Sequence, residues 1–534
     1  LAISADQSTD IVIIGAGFSG LYAIHRLRKD YSVVCLEAGD GVGGTWYWNR
    51  YPGARVDIKS VEYSYGFDHD LQQEWSWPEL FSAQPDLERY ANHVVDRFQL
   101  RQHIQLSTTV TRLRFDQETN RWHVYTGKGD HFVCKYIIAA TGALSAPNTP
   151  PWPGRELFKG EIHHTTDWPR QGIDFTGKRV GQIGTGSTGI QMAPIVAEQA
   201  AQLYVFQRTP AFSMPSGNRP MTPELERDWK ANYADRRRQM LDTYGASLTT
   251  LPELSLHDCT PAQRLSIMED AWNSQSGFQL LLAFTDVMTD KSVNDAVCEF
   301  VHQKIREIVK DPATAELLCP KTYPIGGKRL CIDNGYYAMY NRPNVTLVDV
   351  NSAPILSFTE TGLRTAERDY ELDVIITATG FDAVTGAMAR IAIEGIDGKK
   401  LSDKWADGPT VYLGLMTAGF PNLFMVHGPK TPAAQAQMIT TGEWQVNYIA
   451  NIIADQEREG LSRIDTTQAA ETWWDEEVDA VSRMTVHRLA ESWYNGKNIE
   501  GKKGGFMIYV GGFPRFAQLS NEAIAEGYKG FVRS

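Results

Sequence analysis

The stretch Ile11-Val12-Ile13-Ile14-Gly15-Ala16-Gly17-Phe18-Ser19-Gly20 decides the fold. Its first four residues are β-branched and apolar, the composition of a strand buried on both faces of a parallel sheet. Three glycines follow at G-x-G-x-x-G spacing, and residues 21–28 then carry apolar positions at helical intervals. Residues 33–36, Val-Val-Cys-Leu, give a second strand that ends at Glu37. Each glycine has its own task. Gly15 makes the tight turn, Gly17 lets a pyrophosphate approach the backbone, and Gly20 lets the helix pack close to the strand. A lone fingerprint of this kind is weak; one that follows a strand and opens a helix has the required context.

The unit recurs downstream. Residues 180–183 form a strand, Gly184-Thr185-Gly186-Ser187-Thr188-Gly189 the turn, residues 190–201 a helix, and residues 203–206 the next strand, ending at Gln207-Arg208-Thr209. The two units differ at that strand end. Glu37, about 20 residues past Gly15, is placed to accept from ribose hydroxyls, which suits the adenosine of FAD. Arg208, with Thr209 beside it, offers a cation that suits the 2′-phosphate of NADPH. Two dinucleotide sites of different preference imply that nicotinamide reduces flavin, with the protein supplying position and electrostatics. The predicted fold is therefore α/β, with two Rossmann-like dinucleotide-binding domains.

The 534 residues, 42% apolar and 22% charged, are too many for one core and point to two or three globular domains. A net charge of −12, spread along the chain, argues against nucleic acid or an anionic membrane as partners. No stretch has the length and apolarity of a membrane span. No basic n-region precedes the first apolar run, so no secretory signal is expected, and a start at Leu1 reads as processing or trimming. The cysteines, Cys35, Cys134, Cys259, Cys298, Cys319 and Cys331, form no Cys-x-x-Cys pair. That argues against a metal site or redox dithiol and for free thiols in a reducing cytoplasm. No coiled coil or docking helix stands out, so a monomer is expected.

Between residues 222 and 319 the texture becomes helical. Val297, Val301, Ile305 and Ile308 recur at helical spacing, with Asn294 read as the N-cap and Pro312 as the stop. Arg236-Arg237-Arg238 reads as a solvated helix face. Strands resume at residues 345–348 and 374–377, and residues 506–510 read as another. The resulting division assigns residues 1–147 and 383–534 to an FAD-binding domain and residues 148–214 and 322–382 to an NADPH-binding domain. Residues 215–321 are a helical insertion. The reaction is expected in the cleft between domains.

Three further stretches identify a family. Phe158-Lys159-Gly160-Glu161-Ile162-His163-His164-Thr165-Thr166-Asp167-Trp168-Pro169 fits F-x-G-x-x-x-H-x-x-x-W-P. Gly43-Gly44-Thr45-Trp46, with Tyr51-Pro52-Gly53 and Asp57, fits G-G-x-W-x-x-x-x-Y-P-G-x-x-x-D. Ala378-Thr379-Gly380-Phe381-Asp382 is a strand-end motif of two-dinucleotide flavoproteins. From residue 10 to residue 531 the sequence resembles the type I Baeyer–Villiger monooxygenases. The resemblance implies oxidation of a ketone to an ester or lactone with NADPH and dioxygen through a flavin peroxide.

The same resemblance implies site residues. Arg329, in Lys328-Arg329 ahead of Tyr336-Tyr337-Ala338-Met339, matches the catalytic arginine, and Asp57 its acidic partner. Arginine keeps its charge at any working pH, as a stabiliser of anionic peroxide and oxyanion must. Lys328 matches a second NADPH phosphate contact, and Gly44, Thr45 and Trp46 border the flavin. His164 matches a residue near the domain hinge, and His163 is incidental. Trp493 matches a mobile-loop tryptophan over the nicotinamide, and Met438 a substrate-pocket residue. Gln435 is a departure, polar where relatives carry an apolar residue, and leaves the ketone class open. A flavin N- or S-hydroxylating monooxygenase is the competing reading; Trp168-Pro169 and Arg329 argue against it. A flavin disulfide reductase lacks its cysteine pair, and a non-enzymatic flavoprotein has no use for Arg329, Asp57 and two dinucleotide sites together.

Overall fold

The computed structural model describes residues 7–249, 251–274, 278–433, 435–497 and 505–534. The N-terminal stretch read for a secretory signal lies outside them through Asp6. Two parallel cores carry the two fingerprints. In the first, Gln7–Ile14 lies between Val33–Leu36 and His131–Ala139, parallel to both, with Ile11 opposite Val33 on one side and Tyr136 on the other. A meander of Val110–Asp116, Arg121–Thr126 and His131–Ala139 widens this sheet, and Leu423–Met425 adds to it in parallel. In the second, five strands run parallel in the order Val345–Asp349, Gln202–Gln207, Arg179–Ile183, Val374–Thr377, Glu161–His164. Residues Ile11 to Ile13, and Val374 to Ile376, are wholly buried, as β-branched strands covered on both faces must be.

The chain passes between the sheets twice, along one ribbon. Residues 143–148 and 379–384 run antiparallel: Val384 N donates to Ala143 O (2.7 Å), Asp382 N to Ala146 O (2.8 Å) and Asn148 N to Gly380 O (2.9 Å). His164 ends the edge strand Glu161–His164 beside this ribbon. Its Nδ1 meets Thr166 Oγ1 at 2.7 Å. Burial holds the imidazole below its ordinary pKa, against the pull of the Asn148 backbone.

The segment read as a helical insertion is helical, but its described residues form no core of their own. Pro223–Leu241 packs Trp229 and Tyr233 into the first core, whereas Pro261–Trp272, Lys291–Ile308 and Pro312–Leu318 join the second. Several local expectations need correction. The helix Lys291–Ile308 starts at Asp290, whose carboxylate accepts from Ser292 N (2.7 Å). Asn294 lies inside that helix, fully buried, donating to Val287 O and Ile325 O. Pro312 opens the next helix, where its missing N–H costs nothing, with Asp311 as cap. Residues 506–510 form no strand. They are apolar because they are buried, and their backbone makes single links, such as Tyr509 N to Thr431 O (2.8 Å). The basic triplet is not one solvated face: Arg238 is exposed, but Arg237 is buried. The six cysteines are buried and unbridged.

Candidate active site

Each fingerprint turn has the geometry its glycines require. Gly15 has φ +101°, and a Cβ there would lie 2.6 Å from Ala140 O. A Cβ on Gly20 would lie 1.9 Å from Gly15 O, so only glycine lets helix Phe18–Leu27 approach. Gly44 comes in from the second motif: a Cβ on it would lie 2.8 Å from Gly17 Cα, and Gly43 N donates to Ala16 O (3.0 Å). In the second unit a Cβ on Gly189 would strike Gly184 O at 2.3 Å, while Gly186 faces open space. Neither helix, Phe18–Leu27 nor Ser187–Gln199, has a side-chain cap, so both present first-turn amides for an anion. These cradles fit the pyrophosphates of two dinucleotides.

The strand ends differ as the sequence suggests. Glu37 is buried, and its carboxylate accepts from Ala16 N (2.7 Å) and Gly39 N (2.8 Å). Burial pushes its pKa up, and those two amides pull it back. It thus shapes the glycine turn as well as keeping acceptor capacity for a ribose. Arg208 is exposed, and the turn is tied to it by Thr185 Oγ1, which donates to Thr209 O (2.9 Å). Burial lowers the pKa of Lys328, and Arg208 lowers it further. Neither cation forms an ion pair among the described residues. Two neighbouring cations, opposed only at a distance by Glu491, fit a dianionic phosphate.

The second motif joins the two units. A Cβ on Gly53 (φ +85°) would lie 2.4 Å from Gln191 O, so glycine alone lets this loop lie on helix Ser187–Gln199. Tyr51 OH donates to Gln191 Oε1 (3.0 Å) beside Thr188, and Gln191 Nε2 donates to Arg55 O (3.1 Å). The loop then delivers Asp57 to Arg329, which precedes strand Cys331–Asp333. Arg329 Nε and Nη2 lie 2.9 and 2.7 Å from the same oxygen, Asp57 Oδ2. The guanidinium stacks 4.3 Å from the Phe278 ring. Burial pulls the Arg329 pKa down, but Asp57, with Tyr494 adding, holds it above the ordinary value. The pair is about one-third open to solvent (28% and 32%), so a permanent cation is accessible to a small molecule.

Several residues around this pair escaped the sequence reading. Trp46 Nε1 donates to Tyr63 OH (3.1 Å), and burial pushes the Tyr63 phenol up to about 12 against that bond. Tyr494 is also pushed up to about 12 by burial, against the nearby Arg329, and its hydroxyl bonds the Gln435 side chain. Cys331 Sγ meets Ser187 Oγ at 3.2 Å, linking the Arg329 strand to the second glycine turn. Gln435 is thus brought to the Arg329 cluster. Trp493 instead packs on Tyr494 (4.4 Å) and against Ala383, Val384 and Met507, beside the return ribbon. Met438 is the half-buried first residue of helix Met438–Arg458. Adjacency to Trp493 was the available signal for Tyr494; Phe278 had none.

Residues 8–219 match the family described as flavin-binding monooxygenase-like, the class that two such dinucleotide turns define. Among curated relatives, the 2-oxo-Δ3-4,5,5-trimethylcyclopentenylacetyl-CoA monooxygenase of Pseudomonas putida is 41% identical over 475 residues, 88% of this chain and 87% of its own. A Baeyer–Villiger monooxygenase of Pseudooceanicola batsensis is 39% identical over 98% of this chain and 96% of its own. A phenazine N-monooxygenase of Lysobacter antibioticus is 37% identical over 98% of this chain and 96% of its own. Among solved structures, an oxidized steroid monooxygenase bound to NADP matches with TM-score 0.94 and 44% identity over 99% of both chains. OTEMO in complex with FAD and NADP matches with TM-score 0.95 and 38% identity, covering 99% of this chain and 100% of that one. The chain belongs to the Baeyer–Villiger monooxygenase family.

Proposed function

We propose that the protein oxidises ketones to esters or lactones with NADPH and dioxygen on bound FAD. The observation that carries this reading is the Arg329–Asp57 pair, set between two dinucleotide turns. When bound, FAD supplies the electron transfer and oxygen activation. The chain's own residues hold the reactants and the charge. Arg329 cannot lose its proton at working pH, so it stabilises anionic oxygen without quenching it. Asp57 fixes the plane of the guanidinium through one edge. In the first unit the Gly15–Gly20 turn and Glu37 hold FAD, with Phe18, Ser19, Gly44, Thr45 and Trp46 beside it. In the second, Gly184–Gly189 take the NADPH pyrophosphate, and Arg208, Thr209 and Lys328 its 2′-phosphate. Trp493 lies on the nicotinamide side, and Met438 and Gln435 face the ketone.

Residues 1–147 with 383–534 make up the FAD-binding domain, residues 148–214 with 322–382 the NADPH-binding domain, and residues 215–321 the insertion between them. Six free thiols favour a reducing, cytoplasmic setting. A monomer is the proposed working unit. Among the described residues no helix is long and apolar enough to cross a membrane.

The test is NADPH consumption by the flavin-loaded protein across aliphatic, cyclic and aromatic ketones, with product analysis. Ester matched to NADPH oxidised is the expected result. Hydrogen peroxide alone from every ketone, with N- or S-oxides from amines or sulfides, overturns it in favour of the hydroxylating reading. A relative named as an N-monooxygenase at 37% identity makes that comparison necessary.

A further inference from the structure

A buried polar cluster behind the Met438 side of the site takes no part in the roles above. Arg237, within helix Pro223–Leu241, is 8% exposed and pairs with no carboxylate among the described residues. Its Nη1 donates to Glu62 O (2.9 Å) and Thr440 Oγ1 (3.0 Å). Its Nη2 donates to Ser64 O (2.6 Å) and Ser64 Oγ (2.7 Å). One planar fork therefore grips the 61–64 segment and the first turn of helix Met438–Arg458 together. Gln437 adds a parallel tie: its Nε2 donates to Glu62 O, and its Oε1 caps Thr440 N. Farther along, the Glu443 carboxylate accepts from Gly66 N (2.9 Å) and Phe67 N (3.1 Å).

Both gripped segments lead into the site. The 61–64 segment carries Tyr63, the partner of Trp46, and the helix turn between Gln437 and Thr440 carries Met438. A buried guanidinium is costly to hold even with the Glu62 and Glu443 carboxylates near enough to feel its charge, a cost that an apolar side chain of similar size avoids. What the guanidinium adds is a fixed distance between two walls.

We propose that Arg237 is a positioning residue that sets the spacing between the Tyr63 wall and the Met438 wall, and so the shape of ketone accepted. The inference rests on the reading of Met438 as facing the ketone. It is tested in the FAD-loaded enzyme with Arg237→Lys, Arg237→Met and Thr440→Val. The readouts are FAD content, KM for NADPH, and the kcat, KM and regioisomer ratio for a small linear ketone and a bulky unsymmetrical cyclic one. The expected result is FAD content and KM for NADPH near wild type. KM for the bulky ketone rises roughly tenfold, the scale of one lost charged hydrogen bond. The isomer ratio shifts, less in Arg237→Lys than in Arg237→Met. A parallel loss of FAD and of turnover on both ketones, with the isomer ratio unchanged, marks a merely structural arginine and overturns the proposal. If the Arg237 variants do not fold, Thr440→Val decides, because it keeps side-chain shape and removes only the bond to the helix. An unchanged ratio there overturns the proposal while ester formation by the wild type leaves the reaction standing. Absence of ester from the wild type overturns both.

Discussion

Replacing Gly53 by alanine tests whether the second motif is a mechanical link between the two dinucleotide units. Gly53 lies at φ +85°, where an L side chain costs about 1–2 kcal/mol. The new Cβ would stand 2.4 Å from Gln191 O and 3.0 Å from Ile195 Cδ1. The backbone oxygen belongs to helix Ser187–Gln199 and cannot swing away, so the loop must move. A displacement of roughly 0.6 Å is the least that relieves so close a carbon–oxygen approach. Overpacking of this kind adds about 1–3 kcal/mol to the conformational cost. Asp57 rides on the same loop and holds Arg329 through one oxygen at 2.7 Å. A shift approaching 1 Å at reacting groups lowers turnover by up to about 100-fold. The assay is ester production per NADPH consumed, with thermal unfolding of the holoenzyme alongside. Lower thermal stability and a fall in kcat of about tenfold or more, with unproductive NADPH oxidation, are expected. Wild-type turnover and stability in Gly53→Ala would refute the reasoning, because neither the left-handed backbone nor the close approach would then matter.

Arg329→Ala should retain FAD yet lose ester formation by about 3–4 kcal/mol in transition-state stabilisation, the cost of removing one oxyanion donor. Product analysis under single turnover checks it, and undiminished ester formation refutes the role. Arg208→Ala should raise KM for NADPH about tenfold and leave KM for NADH unchanged, since only the phosphate loses a partner. Equal loss for both nucleotides contradicts the 2′-phosphate assignment. His25, His427 and His487 are each pulled down to about 4, foremost by burial. Each binds its proton more weakly in the folded chain than in the unfolded one. Their contribution to stability is therefore full above about pH 6.5 and lost as pH falls through about 4. His427→Asn, at a backbone φ of 54° that asparagine tolerates, should flatten that acid limb in a series of melting curves. An unchanged limb would count against His427 as a contributor.

How much of this was legible in the sequence depended on whether a residue's role was local. The glycine turns could be read because φ beyond +100° at Gly15 and Gly184, and sub-van-der-Waals approaches at Gly20 and Gly189, exclude other residues. Strands 33–36 and 374–377 could be read because burial on both faces forces a continuous β-branched or apolar run. Arg329 and Asp57 were named through the resemblance to the family, not through any property of the two residues alone. Roles that depend on distant packing stayed hidden. Arg237 looks like its solvated neighbours in sequence, and only a segment some 170 residues earlier makes it buried. Asn294 has the chemistry of a cap, yet Asp290 captures the first amides and leaves Asn294 to tie two loops in the interior. Residues 506–510 are as apolar as a strand, but they bury without a neighbour to pair along their length.

The antiparallel ribbon of 143–148 and 379–384 has a consequence for how such a chain can be recombined. Exit and return lie side by side, so in covalent terms everything between residues 148 and 380 is joined to the rest at one place, while Tyr51, Gly53 and Asp57 touch it through side chains and loop packing. Topologically it is a cassette, and a cassette can be exchanged with a single pair of seams. A whole helix, Pro223–Leu241, lies between those seams in sequence but packs into the first core and clamps 61–64 through Arg237. A chimera cut only at the ribbon therefore imports a foreign helix into the recipient's interior. One that keeps the recipient's own 223–241 preserves that helix's packing, and, on the proposed site roles, comparing the two designs would separate the inheritance of nicotinamide preference from that of ketone preference.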